Sequence, residues 1–367
     1  MWPKRLKQVM HKNLYICSTL RHLLFAISRA SEELTSSSVI VFFRDYQNVE
    51  QSSIDASSLP ENIQLIILTR KELNKHFKQS FFGKIILACA LRKLSLGTLI
   101  QARLLQLLNS YYPAINLEKG NISLFVFNER NKMSRFFRLL VEKYEMIEDG
   151  IGNYYKIPVK GYKKFIRAIT GRPPGYWVFG EDKKCQKIHV VYPENLPEDV
   201  RNKGTKINFL TNKLSIEHVN RVFMFHAEEM NTDVIIATQP TSKTYQSQYK
   251  DPDFQIKTYQ YMIDYCRTNE LKVAFKLHPS ESIEKYQSLY PNEVYFPVKQ
   301  PLELIVLNCA TTPNIMSICS TAGLGFESFC HRKSMILDED ISQFGAITLN
   351  WEREPELLKK RIEELLK

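Results

Sequence analysis

Three short polar stretches in this sequence hold side chains that could do chemistry, and each directly follows an apolar, strand-like run. One is Lys276 to Ser282, where His278-Pro279 comes after residues 271–275. Another is Glu148-Asp149-Gly150, two adjacent carboxylates before a bend that continues to Gly152 and Asn153. The third holds Ser317, Ser320 and Thr321 ahead of Gly323. In an α/β protein, ligand-binding groups gather where strands end. A partly dry cleft would lift the pKa of one carboxyl of the acidic pair toward that of a general base. An imidazole held extended by the following proline suits a phosphate that becomes a leaving group. Hydroxyls before a helix would add a phosphate cradle of side-chain and backbone donors. Thr238 and Gln239 end a further strand and could line the same cleft. Plainer readings stand beside these: Asp-Gly is a common turn pair, a lone histidine often serves only structure, and Ser320 or Thr321 could simply cap a helix.

The elements that must position these groups read as two alternating series. Residues 14–18 are a short apolar run, 38–43 and 63–69 are β-branched, buried-type strands, and 122–127 are another strand. Between them lie helical patterns at 20–30, at 81–108 (one or two helices) and at 133–144. Strands alternating with helices at this pace predict βαβ units and a parallel sheet. Residues 156–184 change character: eight are Lys or Arg, and Gly171-Arg172-Pro173-Pro174-Gly175 breaks regular structure. The domain boundary is placed there, giving a first domain of 1–172 and a second of 185–367. The second series has strands at 187–192, 233–238, 271–277, 294–296, 314–319 and 334–337, with helices at 216–225, 255–267, 301–307 and 323–330. A terminal helix covers 354–367. Two doubly wound halves predict an enzyme whose ligand lies between them.

With 367 residues, 44% hydrophobic and 24% charged, the chain is an ordinary globular protein, not a disordered one. Its formal net charge of +11 favours an anionic partner: nucleic acid, a membrane surface or a phosphorylated substrate. Seven scattered cysteines without a CxxC pair argue against a zinc site or a disulfide framework, and fit a reducing compartment. Neither a signal peptide nor a transmembrane helix is expected. The first twelve residues carry four Lys or Arg and no acid, interleaved with Trp2, Leu6, Val9 and Met10, and could rest on an anionic membrane. A frayed basic terminus is the other reading. The nucleotide-binding GxGxxG and GxxxxGK[ST] loops, the GxSxG elbow and the HExxH motif are all missing. So is a convincing DxD pair for a metal-bound sugar nucleotide: Asp251-Pro252-Asp253 has proline at its centre.

Taken in order, Glu148-Asp149-Gly150, His278-Pro279 and the hydroxyls Ser317, Ser320 and Thr321 resemble the motif set of bacterial sialyltransferases. The likeness is to lipooligosaccharide sialyltransferases of glycosyltransferase family 52 and to bacterial polysialyltransferases. Gly152-Asn153 is similar to the continuation of the acidic motif, residues 14–19 to the opening strand, and residues 235–240 to the strand that opens the second domain's site. The resemblance spans most of the chain as short islands. It implies a GT-B architecture, two Rossmann-like domains with parallel sheets facing across a cleft, the nucleotide held mainly by the second. It also implies metal-independent, inverting transfer of sialic acid from CMP-sialic acid, with no cofactor. Glu148 would be the base, with Asp149 as fallback or orienting neighbour. His278 would hydrogen-bond the departing phosphate, and Ser320 and Thr321 would hold its oxygens. Gly150, Asn153, Thr238, Gln239, Pro279 and Ser317 would complete the substrate contacts.

The expected partners are a nucleotide-sugar donor and a glycan or glycolipid acceptor on the bacterial surface, in lipooligosaccharide, O-antigen or capsule. The expected location is the cytoplasm, with peripheral contact to the anionic inner membrane through basic residues such as Lys160, Lys163, Lys164, Arg167 and Arg172. Two other readings remain at this point. One is a GT-B transferase of the same lineage using another nucleotide sugar. The other is a basic, non-enzymatic α/β protein that binds membrane or nucleic acid; without an RNA-recognition aromatic signature or a helix-turn-helix pattern, the nucleic-acid version is disfavoured.

Overall fold

A computed structural model describes residues 11–33, 35–92, 97–208, 210, 212–225, 232–240, 246–278, 280–320 and 322–367. The chain divides into two compact units, 1–225 and 226–367. The first is built on a parallel sheet of seven strands. β1 (Lys12–Cys17), β2 (Ser37–Phe43), β3 (Ile63–Leu68), β4 (Ile122–Val126), β5 (Tyr144–Ile147), β6 (Cys185–Val190) and β7 (Gly204–Lys206) take the order β3-β2-β1-β4-β5-β6-β7. The order reverses between β1 and β4, the place where a doubly wound sheet opens a binding crevice beyond its carboxyl ends. β1 and β2 are buried on both faces, because helices cover each side of a parallel sheet.

Helix α1 (Leu20–Glu32) starts where Thr19 caps it, its hydroxyl accepting the His22 N–H at 3.1 Å. Helices α2 (Arg70–Lys78), α3 (Phe81–Arg92) and α4 (Thr98–Tyr111) lead back to β4. The apolar run at 81–108 is therefore two helices. The helical spacing at 133–144 yields only α5 (Lys132–Phe137) and one 3-10 turn (Arg138–Leu140), since the chain must already re-enter the sheet at Tyr144.

The expected domain boundary is corrected. The basic stretch after β5 is an excursion, not a linker. It contains a two-residue antiparallel pairing of Ile157–Pro158 with Tyr176–Trp177 and a short helix α6 (Lys163–Ile169). The chain then returns as β6, which pairs with β5 through Glu145↔Lys187, Met146↔Ile188 and Ile147↔His189. Helix α7 (Lys213–Val222) packs on α1, where His218 Nδ1 meets the Ser31 hydroxyl at 2.9 Å. Residues 185–225 thus complete the first unit.

The second unit holds five parallel strands: β8 (Val234–Ala237), β9 (Val273–Lys276), β10 (Val294–Tyr295), β11 (Asn314–Ser317) and β12 (His331–Ser334), in the order β10-β9-β8-β11-β12. Helix α8 (Phe254–Thr268) supplies Tyr259, Met262 and Ile263 to its core, and the last helix α9 (Pro355–Leu366) supplies Leu358 and Ile362. Two expectations shift here. The last strand begins at His331, not at 334, because His331 to Ser334 already pair with Asn314 to Ser317. No helix forms over 323–330. Gly323 (φ +78°) and Gly325 (φ +84°) adopt left-handed backbone, which a right-handed helix does not tolerate.

Candidate active site

In the first unit the acidic pair follows β5, and its two carboxylates have opposite surroundings. Glu148 is fully buried. Its Oε1 accepts from Arg21 Nη2 at 3.1 Å; its Oε2 accepts the Tyr154 hydroxyl and the Val191 N–H at 3.0 Å. Both oxygens are consumed in holding the loop after β5 to α1 and to the end of β6. Asp149 is half-buried, its side chain 26% exposed. Asp149 Oδ1 accepts from His22 Nε2 at 2.6 Å, and its Oδ2 from Asn128 Nδ2 at 2.8 Å.

The donors to Asp149 are fixed in turn. The Ser18 N–H donates to His22 Nδ1 at 3.2 Å, so the ring proton sits on Nε2 and points at the carboxylate. The His22 ring is stacked on Phe127, centroids 4.2 Å apart and planes 6° from parallel. Asn128 Oδ1 accepts from the backbone N–H groups of Arg130 and Asn131, which turns its amide nitrogen toward Asp149. Ser18, Asn128 and Asp149 follow β1, β4 and β5, three neighbouring strands at the switch in strand order. Burial alone would raise the Asp149 pKa, but the hydrogen bond from His22, then that from Asn128 and the charge of Arg21, outweigh it and hold the carboxyl below its usual range. The upward lift expected from sequence does not occur at Asp149. It stands ionised, an acceptor for a proton.

Gly150 and Asn153 set the backbone here. Gly150 has φ +145° and ψ −157°, a region open essentially to glycine alone. Asn153 is fully buried, and its Oδ1 accepts the N–H of Asp149 at 3.0 Å and of Gly150 at 3.3 Å. It latches the turn from inside and does not line a surface.

In the second unit, three adjacent strands end together. Thr238 and Gln239 follow β8, His278 follows β9, and Ser320 lies beyond β11. The Thr238 hydroxyl accepts the His278 N–H at 3.0 Å and donates to Glu281; Gln239 Oε1 accepts the Cys319 N–H at 2.9 Å. The central strand thereby ties down both flanking loops. The Ser280 N–H donates to His278 Nδ1 at 3.2 Å, leaving the ring proton on Nε2 of an exposed side chain. Partial burial of the ring, opposed by Glu281 and aided by the Lys276 ammonium, lowers its pKa. His278 is thus a neutral donor at physiological pH. Ser320 is half-buried, and its hydroxyl accepts the Ala322 N–H at 3.1 Å.

Of the residues expected from sequence, Asp149, Gly150 and Ser320 are half-buried and His278 is exposed, each beyond the end of a strand. Glu148, Asn153, Thr238 and Ser317 are sealed inside, with Ser317 fully buried at the end of β11, and Gln239 is half-buried and engaged in holding its neighbours. With residues 323–330 in turns, no helix N-terminus stands behind Ser320. Pro279 and Thr321 lie outside the described residues. His22, Asn128 and Arg21 were missed; they lie far from the motifs in sequence and belong to no local pattern. A separate cavity of about 470 Å³ in the first unit, walled by Arg135, Arg138 and Arg172 among others, includes none of the predicted site residues.

Two parallel α/β units of this kind, each with polar groups at its strand ends, make the chain a two-domain GT-B protein. The chain belongs to glycosyltransferase family 52, whose model matches residues 68–338. Its fold is similar to that of an α/β-galactoside α-2,3-sialyltransferase from the luminous marine bacterium Photobacterium phosphoreum. That likeness has 14% identity and a TM-score of 0.54, and covers 96% of this chain and 99% of the other. It is also similar to the GT-B domain of a sialyltransferase from Photobacterium damselae, at 12% identity and a TM-score of 0.50, covering 94% and 97% of the two chains. No curated protein matches the sequence.

Proposed function

We propose that this glycosyltransferase is an inverting, metal-independent sialyltransferase that uses CMP-sialic acid and a hydroxyl of a bacterial surface glycan: lipooligosaccharide, O-antigen or capsule. The observation that carries the reading is the contrast within the acidic pair. Asp149 is partly exposed at a strand end and held ionised by His22 and Asn128, whereas Glu148 is fully buried with both oxygens tied to the surrounding elements. Asp149 therefore takes the base role first expected of Glu148. In the single displacement, Asp149 accepts the proton of the acceptor hydroxyl and that oxygen bonds to the anomeric carbon. The bond from that carbon to the phosphate oxygen breaks, and its electron pair leaves with CMP. His278 Nε2–H, with the Ser320 hydroxyl and the neighbouring Thr321, stabilises the charge gathering on the phosphate, the work a metal ion does in other transferases. The choice of donor rests on the order of the acidic, His-Pro and hydroxyl motifs, and two of the solved structures that this fold resembles are of sialyltransferases.

The test is CMP release from CMP-sialic acid, with and without lipooligosaccharide and capsular acceptors. The wild-type chain should release CMP and Asp149→Asn should lose about 10²-fold or more in kcat per folded molecule, the scale of one general base. Absence of both transfer and slow donor hydrolysis, alongside turnover of another nucleotide sugar, would overturn the donor.

A further inference from the structure

Helix α6 is attached to its unit the wrong way round. A surface helix ordinarily buries its apolar stripe and exposes its charges. In Lys163–Ile169 the buried residue is Arg167, whose guanidinium pairs with both oxygens of Glu181 at 2.7 Å and whose Nε donates to the Pro173 carbonyl at 2.7 Å. The apolar side chains point to solvent: Tyr162 is 73% exposed, Phe165 70%, Ile166 51% and Ile169 70%. Their spacing of three and four residues puts Tyr162, Phe165 or Ile166, and Ile169 on one face. The arginine anchor pins the helix in this pose, so the apolar face is displayed and not merely peeled away. Around it are Lys160, Lys163, Lys164 and Arg172, all exposed, and residues 156–180 contain no Asp or Glu.

A contiguous apolar face held toward solvent marks an interaction site. The encircling cations choose the partner: aromatic and aliphatic side chains ringed by Lys and Arg are the pattern of a helix lying in the headgroup region of an anionic bilayer. We infer that α6 and its basic flanks dock the first unit on an anionic membrane, with Phe165 and Ile169 entering the acyl boundary. This goes beyond the assignment of the reaction and does not depend on which sugar is moved.

The experiment is co-sedimentation of the full chain with phosphatidylglycerol-containing vesicles and with pure phosphatidylcholine vesicles. The wild-type chain should bind the anionic vesicles and lose much of that binding at high salt. Phe165→Ser with Ile169→Ser should lower the partition coefficient by about tenfold or more, since two large apolar groups no longer leave water. Lys163→Glu with Lys164→Glu should erase the preference for anionic lipid. Melting temperature and CMP release with a soluble acceptor should not change in either variant, because these side chains are exposed and outside the proposed catalytic groups. Vesicle binding unchanged in the apolar variant overturns the inference. So does a wild-type chain that binds neither vesicle, or a wild-type dimer that the apolar variant converts to monomer, since the face would then be covered by a second copy.

Discussion

Removing the histidine behind Asp149 should move the pH profile of the enzyme in a stated direction. His22→Phe keeps a ring to stack on Phe127 but withdraws the donor that lies 2.6 Å from Asp149 Oδ1. A hydrogen bond to a charged group contributes about 1.5–3 kcal/mol, and without it burial acts with less opposition, so the Asp149 pKa should rise. The sign follows from the role. A base must be ionised, a carboxyl whose pKa is held low stays ionised further into acid, and raising that pKa shifts the acid limb of kcat/KM toward neutrality. The assay is CMP release from CMP-sialic acid measured from pH 4.5 to 9 at saturating acceptor, and again at limiting acceptor. His22→Gln, which restores an amide donor, should recover part of the shift. A well-folded His22→Phe enzyme whose acid limb stays where the wild type has it would refute the assignment of Asp149 as base, His22 as its positioning residue, or both. Asp149→Asn separates the two, since it should abolish the limb only if Asp149 is the base.

Three further outcomes follow from the same geometry. Glu148→Gln should lower stability by about 1–3 kcal/mol, because Arg21 loses its charged partner at a buried position, while kcat per folded molecule changes far less than in Asp149→Asn; a thermal melt beside a rate measurement decides it. His278→Ala should cut kcat by about 10²–10³-fold with an unchanged melting temperature, the ring being exposed and the Thr238 tie being made by backbone; a large fall in stability would return His278 to a structural role. Gly150→Ala should cost about 1–3 kcal/mol, since φ +145° excludes a side chain, and should lower activity because Asn153 grips this same turn; normal stability would mean that the turn relaxes easily.

Much of the fold was legible because buried parallel strands announce themselves as short apolar runs, several of them β-branched: β1, β2, β3, β4, β8, β9 and β11 all fall on such stretches. Strand-like character does not say which sheet a strand joins. β6 was assigned to the second unit because a basic, Gly- and Pro-rich stretch precedes it, yet it completes the first sheet beside β5. The missing helix at 323–330 shows a related limit. Gly323 and Gly325 were visible, but only the backbone shows that both take positive φ. At the site, residues adjacent to a motif were found and residues brought there by folding were not. Burial, which separates Glu148 from Asp149, depends on Arg21, Tyr154 and Val191, so no reading of two neighbouring acids could rank them.

Two consecutive residues of α1, Arg21 and His22, hold the two consecutive acids Glu148 and Asp149, each across 127 positions of chain. The acidic motif is therefore half of a unit of inheritance. A chimera that takes residues 144–155 from one relative and 18–22 from another breaks two matched pairs at once, sealing neither acid correctly. Grafts and ancestral reconstructions in this family should move the two segments together, and paired substitutions should accumulate in them in step.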